Sequence, residues 1–481
     1  MGFCFWGICY TIGLFYSLIV MTHFIPSSLR PDELTARIAH HYPMWQVCFL
    51  NNHHAPVIGI LPKISWQMTP CDGQMTLTTA TRRALDDYQY EQMPSSYTQL
   101  MQILGEYTLP FQSKTTHADT SHATPSYQHG LMGFVGYDIA AHALNPNIKI
   151  DHAQPACYFG HYDLVLSPCA DGYELSCHDG QFDITLLISM IEQLNLVKSP
   201  TKHALYLQPI WSKADYAHAF EQAQAYLLAG DGYQINLTQA WHTKQTAHLS
   251  AHLPSLMQQT QAPFAGYLQL TDFELLSVSP ELFFTFYQQD HQLHIITKPI
   301  KGTRPRSADK ALDDEYKQAL AQSSKDISEN LMIVDLLRND LGKYAKIGSV
   351  KTPIRFAIES FSNVHHMVST ITATLKDDSH PIAVLFGSLP AGSITGAPKK
   401  RACEMIDELE ARPRGAYCGS MGYLNFDGTG QFNVLIRTIQ ANADGISVWA
   451  GGGITIRSQV DDEYQECMDK VGMILKTLAD G

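Results

Sequence analysis

Two pairs of acids stand three residues apart, Asp326 with Glu329 and Glu463 with Glu466, each within a stretch of helical apolar spacing. Residues at i and i+3 share a helix face, so each pair aims two carboxylates at one point. If the two helices converge, four carboxylates meet, and such a group is repulsive unless a cation lies among them. Mg2+ suits that place: it takes hard oxygen ligands, is often held by one or two carboxylates, and keeps waters that further acids orient. By spacing alone, solvated helix faces are the commoner origin of such pairs.

Lys301 lies between Ile300 and Gly302 at the end of an apolar run, with Lys298, Arg304 and Arg306 close by in sequence. A lysine there is a nucleophile only when neutral, which requires desolvation or cationic neighbours; a surface ion pair is the ordinary alternative. Three glycine-rich segments offer N–H donors to anions. Gly392 to Gly396 runs into Pro398, which fits the first turn of a helix whose positive end would face the loop. Gly451, Gly452 and Gly453 follow an apolar run carrying Trp449 and are read as a concave nest beyond a strand. Gly302 and Thr303 follow Lys301. None matches GxGxxG or a P-loop, and such glycines are often plain turn chemistry. The 22 histidines include no HExxH, and His365 and His366 point to opposite faces if they lie on a strand, so a zinc site is not supported.

The elements that must position these residues are read from periodicity. Helices are predicted over 183–196, 213–229 (ending at Gly230), 323–341, 398–411 and 461–477. Strands are predicted over 267–270, 275–278, 282–287, 291–297, 419–424, 432–440 and 446–450, and the stretch 45–173 reads as mostly strands, with an exposed loop at 115–129. The fold class is α+β. Residues 26–200 and 204–478 are read as two regions meeting at the polar stretch 198–203, preceded by an apolar extension at 1–25.

The chain has 481 residues, with 33 Lys plus Arg against 46 Asp plus Glu and a net charge of -13, and no basic stripe, which argues against nucleic acid as a partner. Ten cysteines are scattered without a CxxC pair, as suits a reducing cytoplasm. Residues 3–20 carry no charge, yet no basic residue precedes them and no basic cluster follows. A mis-assigned start or a dispensable extension is therefore preferred to a membrane anchor.

Taken together, SPELF (279–283), PIKGTRPR (299–306), SENLMIVDLLRNDLG (328–342), AGSITGAPKKRA (391–402), RGAYCGSMGY (414–423), FNVLIRT (432–438), WAGGGI (449–454) and EYQECMDK (463–470) resemble the chorismate-utilising enzymes, in the family's order, from about residue 206 onward. The resemblance implies that family's fold, β-sheets flanked by helices. It also implies Mg2+ on Glu329 and Glu466, with Asp326 and Glu463 reached through waters; many relatives carry Glu where this chain has Asp326. Chorismate would be held by Gly302, Thr303, Tyr417, Arg437 and Gly451 to Gly453, with His366 and Ser393 positioning its ring or leaving group.

PIKGT, where anthranilate synthases read PIAGT, is associated with amination at C4, which makes Lys301 the implied nucleophile and Glu281 the acid for the departing hydroxyl. Ammonia would come from a separate glutamine amidotransferase subunit. The segments 45–51 and 133–138 resemble, more faintly, a part that holds a tryptophan molecule in some members. The rival readings are an anthranilate synthase component and a subunit without catalysis that docks the glutaminase or senses an amino acid.

Overall fold

β-Branched and aromatic residues build the strands, as in Leu282–Gln289 (LFFTFYQQ) and Val364–Thr374 (VHHMVSTITAT), both largely buried. The structure is a computed structural model and describes residues 20–71, 73–112, 125–178, 184–361, 364–410 and 412–481. Most of the apolar stretch 3–20, and residues 115–124 of the loop expected at 115–129, lie outside the described residues. Among the described residues no helix is long and apolar enough to cross a membrane.

Two sheets of 12 strands each organise the described residues. The first runs from Met21–Pro26 through Gly172–Cys177, Leu164–Cys169, Val57–Ile60, Cys48–Leu50, Gly266–Leu270, Phe273–Ser277, Thr438–Asn442, Gly445–Ile454 and Gln234–Thr243 to Gln208–Pro209, with Gly396–Ala397 pairing Gln234–Thr243 beside the path. The second runs from Ile300–Pro305 through Val364–Thr374, Gln292–Thr297, Leu282–Gln289, Gly430–Asn433, Ser420–Asn425, Gly130–Val135, Cys157–Tyr162, Ile64–Cys71 and Gln74–Ala84 to Asp87–Pro94, with Lys351–Ser360 pairing Val364–Thr374. Strands from both sides of 198–203 share each sheet, through Cys48–Leu50 against Gly266–Leu270 and Gly130–Val135 against Ser420–Asn425. One continuous apolar cluster includes Phe49 and Leu237 of the first sheet and Leu131 and Phe284 of the second. With helices packed on these sheets, the class is α+β, as read from the sequence.

The helices fall close to expectation. Lys213–Ala229 is capped by Ser212, whose hydroxyl accepts from the Asp215 amide, and stops at Gly230 in the left-handed region at φ 87°. Ser324–Gly342 and Val460–Ala479 carry the two acid pairs. Two expectations are corrected. The run 432–440 is two strands in different sheets, Gly430–Asn433 and Thr438–Asn442. Pro398 is the N-cap of Lys399–Leu409 and stands outside its first turn. The stretch 45–173 is mostly strands, as read, and also holds the helices Tyr97–Gln112 and Tyr137–Leu144.

Candidate active site

Two of the chain's passages between the sheets lie side by side. After Phe273–Ser277 the chain leaves the first sheet and enters the second at Leu282; after Gly430–Asn433 it returns to the first at Thr438. The two crossings are stitched together: the Val434 amide donates to the Glu281 carbonyl at 3.1 Å, the Val278 amide to the Arg437 carbonyl at 3.1 Å, and the Ser279 hydroxyl to the Val434 carbonyl at 2.6 Å. Glu281 and Arg437 are thereby brought into electrostatic contact, Arg437 with a backbone φ of 51° that a non-glycine residue adopts only when its surroundings impose it.

Glu281 is buried, with the Ser393 side chain and the Ile300 backbone near enough to act on its carboxyl. Burial pushes its carboxyl up to about 7, against the opposing pull of Lys301, Ser393, Ile300 and Lys470. A carboxyl in that condition is partly protonated near neutrality and able to donate.

Lys301 sits on a strand that pairs with Val364–Thr374 through a bulge: Ile300 faces Val368 and Thr303 faces His366, leaving one extra residue between them. Gly302 takes φ 79°, and a methyl group on it would stand 2.8 Å from Asp326 Cγ, so the bend and the close approach both require glycine. The bulge aims Lys301 so that its charge acts on Glu281, Glu329 and Glu466 together. Beside it, His366 Nδ1 lies 2.9 Å from Thr303 Oγ1, and burial pushes the His366 imidazole down to about 4, so it is neutral at physiological pH. His365 turns the other way, to Asp313 at 3.1 Å and Ser360 at 2.8 Å.

The two acid helices do converge. Burial raises the Glu329 carboxyl, with Glu463 and Asp326 adding to the rise and Lys301 and Lys325 opposing it. Burial also works to raise Glu466, but Lys470, at 2.6 Å, together with Lys301 and Lys325 holds it below its ordinary value. Glu463 Oε1 accepts from Ser458 at 2.7 Å and from Lys325 at 3.3 Å, and Asp326 pairs with Arg304 at 3.4 Å. Among the described residues no group of three or more metal-ligating side chains is placed to hold a metal ion, and three of the four acids are each bridged by a cation of the chain itself. Glu329 Oε1 is the exception, buried with no hydrogen-bond partner. An orphaned carboxylate oxygen among further acids matches the donor set of a hard divalent cation. Lys325 and Lys470 are charged neighbours of the acids that the acid spacing overlooked, although each stands four residues from one of them, Glu329 and Glu466 respectively, on one helix face.

Gly451 to Gly453 do not form a nest: the strand Gly445–Ile454 continues through them, pairing Gly451, Gly452 and Gly453 with Thr238, Leu237 and Asn236. Tyr417 is buried, with its ring stacked on Trp449 at 6.1 Å and the Arg414 guanidinium 5.9 Å away, and joins the group through that strand. Thus Lys301, Glu281, His366, Ser393, Arg437 and the four acids are linked by direct bonds or charges, while Tyr417 and the glycines form the adjoining wall. In the N-terminal region, Trp45 is a core residue that donates to Asp86 at 3.1 Å and stacks on Tyr42 at 4.1 Å.

The chain is 41% identical over 364 residues to aminodeoxychorismate synthase component 1 of Salmonella typhimurium, covering 73% of this chain and 77% of that protein. It is 38% identical over 340 residues to anthranilate synthase component 1 of Bacillus subtilis, covering 69% of this chain and 65% of that protein. The fold matches the crystal structure of anthranilate synthase component I from Streptococcus pneumoniae with a TM-score of 0.69 at 22% identity, over 87% of this chain and 91% of that one. The family profile described as chorismate binding enzyme matches residues 73–476, and this chain belongs to that family.

Proposed function

We propose that the chain is the chorismate-aminating component of an aminodeoxychorismate synthase, converting chorismate and ammonia to 4-amino-4-deoxychorismate for p-aminobenzoate and folate formation. The observation that supports the reading is Lys301, whose charge acts on Glu281, Glu329 and Glu466 from a bulged strand. The 41% identical relative of that name supports it. Ammonia would be supplied by a glutamine amidotransferase partner in the cytoplasm, since a component 1 implies a second component.

Glu329 and Glu466 would hold Mg2+, with Asp326 and Glu463 as outer partners. When bound, the ion supplies a Lewis-acid anchor for the ring carboxylate and draws electron density from the conjugated ring. Arg437, Tyr417 and the backbone of Gly302, Thr303 and Gly451 to Gly453 hold the substrate's carboxylates, as an anionic substrate requires. The amine of Lys301, having released its ammonium proton to solvent, attacks C2, the ring double bond shifts, and the C4–O bond breaks as Glu281 passes its proton to the hydroxyl, which leaves as water. Glu281 then recovers a proton from the C2 ammonium. Ammonia adds at C4, the double bond returns, and the C2–N bond breaks as Glu281 returns the proton to the departing lysine. The C4 ammonium then gives Glu281 its proton back. Two allylic displacements thereby replace one difficult substitution. Neutral His366 and Ser393 orient the ring and the leaving oxygen.

Incubation of the purified chain with chorismate, MgCl2 and an ammonium salt tests the reading by product identity. Formation of 4-amino-4-deoxychorismate is expected; anthranilate with pyruvate would make the chain an anthranilate synthase component, and no consumption of chorismate would leave only the docking or sensing role.

A further inference from the structure

The acid cluster comes with its own counter-ions. Arg304 pairs with Asp326 at 3.4 Å, Lys325 with Glu463 at 3.3 Å and Lys470 with Glu466 at 2.6 Å. These contacts differ in kind. Lys470 is held twice, donating also to the Gly451 carbonyl at 2.8 Å, so it belongs to the frame of the helix and strand. Lys325 has one long contact, its side chain is 45% exposed, and its charge acts on Glu463, Glu329 and Glu466 at once. Its partner Glu463 is 3% exposed and is fixed on the other side by Ser458. A buried carboxylate with a half-exposed cation at its open side is stable without a metal, and a divalent ion entering there meets the ammonium already in place.

We propose that Lys325 is an internal counter-ion that occupies the metal site of the ligand-free protein, and that a divalent cation binds only by displacing it from Glu463. The inference rests on the metal reading given above for Glu329 and Glu466. It follows that Lys325 weakens cation binding: its charge repels the incoming ion, and its bond to Glu463 must be broken. Without it the same acids lack one positive charge, and the ion takes its place at no such cost. The lysine also keeps four converging carboxylates compatible with a folded chain before metal arrives.

The test uses the purified chain without substrate and Mn2+ alone as the probe, bound ion being counted by loss of the free Mn2+ EPR signal. Lys325→Met is expected to bind Mn2+ at least tenfold more tightly than the wild type and to melt at a lower temperature in EDTA, the deficit closing when Mn2+ is added. Lys325→Arg, which keeps the pairing, is expected to bind like the wild type. Should the Met variant fold poorly, amine acylation of the wild-type protein read by peptide mass spectrometry serves instead: Mn2+ is expected to raise the labelling of Lys325. Equal or weaker Mn2+ binding by Lys325→Met, or Lys325 labelling that Mn2+ leaves unchanged or lowers, overturns the proposal. Glu466→Gln separates the two levels of the account. If that variant binds Mn2+ as the wild type does, the metal reading has failed, and the counter-ion role falls with it; if it loses binding while Lys325→Met shows no gain, the counter-ion role alone fails.

Discussion

Gly452 lies directly against Glu463: a methyl group on its Cα would stand 2.8 Å from Oε2 and 3.6 Å from Glu466 Oε1. Neither side can yield cheaply, because Gly452 is in a strand paired to Leu237 and Glu463 Oε1 is tied to Ser458. Gly452→Ala is therefore expected to push the acid pair out of register while leaving the fold intact, with kcat/KM for chorismate falling by roughly 100-fold, the usual scale of an ångström-sized misplacement. Steady-state kinetics beside a circular dichroism melt checks both halves.

The acid Glu281 sets the upper limb of the pH profile. With its carboxyl at about 7 because of burial, the donating form is lost as pH rises through that value, so turnover should fall on the alkaline side. The same rise above the ordinary carboxylate range means that the neutral group is favoured by the folded state. Its contribution is complete below the unfolded value and is lost as pH rises through the folded one. Glu281→Gln should thus be nearly neutral for stability at pH 5 and stabilising at pH 8, by up to roughly 3 kcal/mol, while abolishing most turnover. Melting curves at the two pH values measure the sign.

Chelation should abolish turnover, and Mg2+ should restore it. Glu329→Gln, which leaves an amide where an orphaned carboxylate oxygen now sits, should raise the Mg2+ concentration needed for half-maximal rate by about tenfold or more. Titration of activity against free Mg2+ after EDTA treatment provides the measurement.

The loop bearing Ser393 is anchored by a buried ion pair. Arg414, 1% exposed, binds Glu410 at 2.6 Å and 2.8 Å and donates to the carbonyls of Asn236 at 2.8 Å and Ile394 at 3.2 Å. Glu410→Ala would strand the guanidinium without its partner and should destabilise the fold by about 3–5 kcal/mol. Equilibrium unfolding in urea reads it directly.

Much of this site was legible before the structure because helices announce themselves. The acid pairs at i and i+3 and the Gly230 stop depend on neighbours within a turn or two, and Ser324–Gly342 and Val460–Ala479 fell within a few residues of the reading. The sheet crossings were not legible. Val434 to Arg437 carries the same apolar texture as the strands on either side, and what ends the strand is a change of sheet and a positive φ at Arg437, both imposed by distant partners. The glycines at 451–453 misled for a related reason: they read as a loop, yet they exist because Thr238, Gln234 and Glu463 leave no room for a Cβ within a continuing strand. The bulge at Lys301 and Gly302 likewise depends on its pairing with Val368 and His366, which no local pattern records.

The account turns on Lys301 as the nucleophile, and the most direct measurement is the turnover of chorismate by Lys301→Ala at saturating Mg2+ and ammonium, compared with the wild type. The mechanism predicts a fall of at least about 100-fold, with divalent-ion binding retained. Turnover equal to the wild type, with the same product, would contradict it.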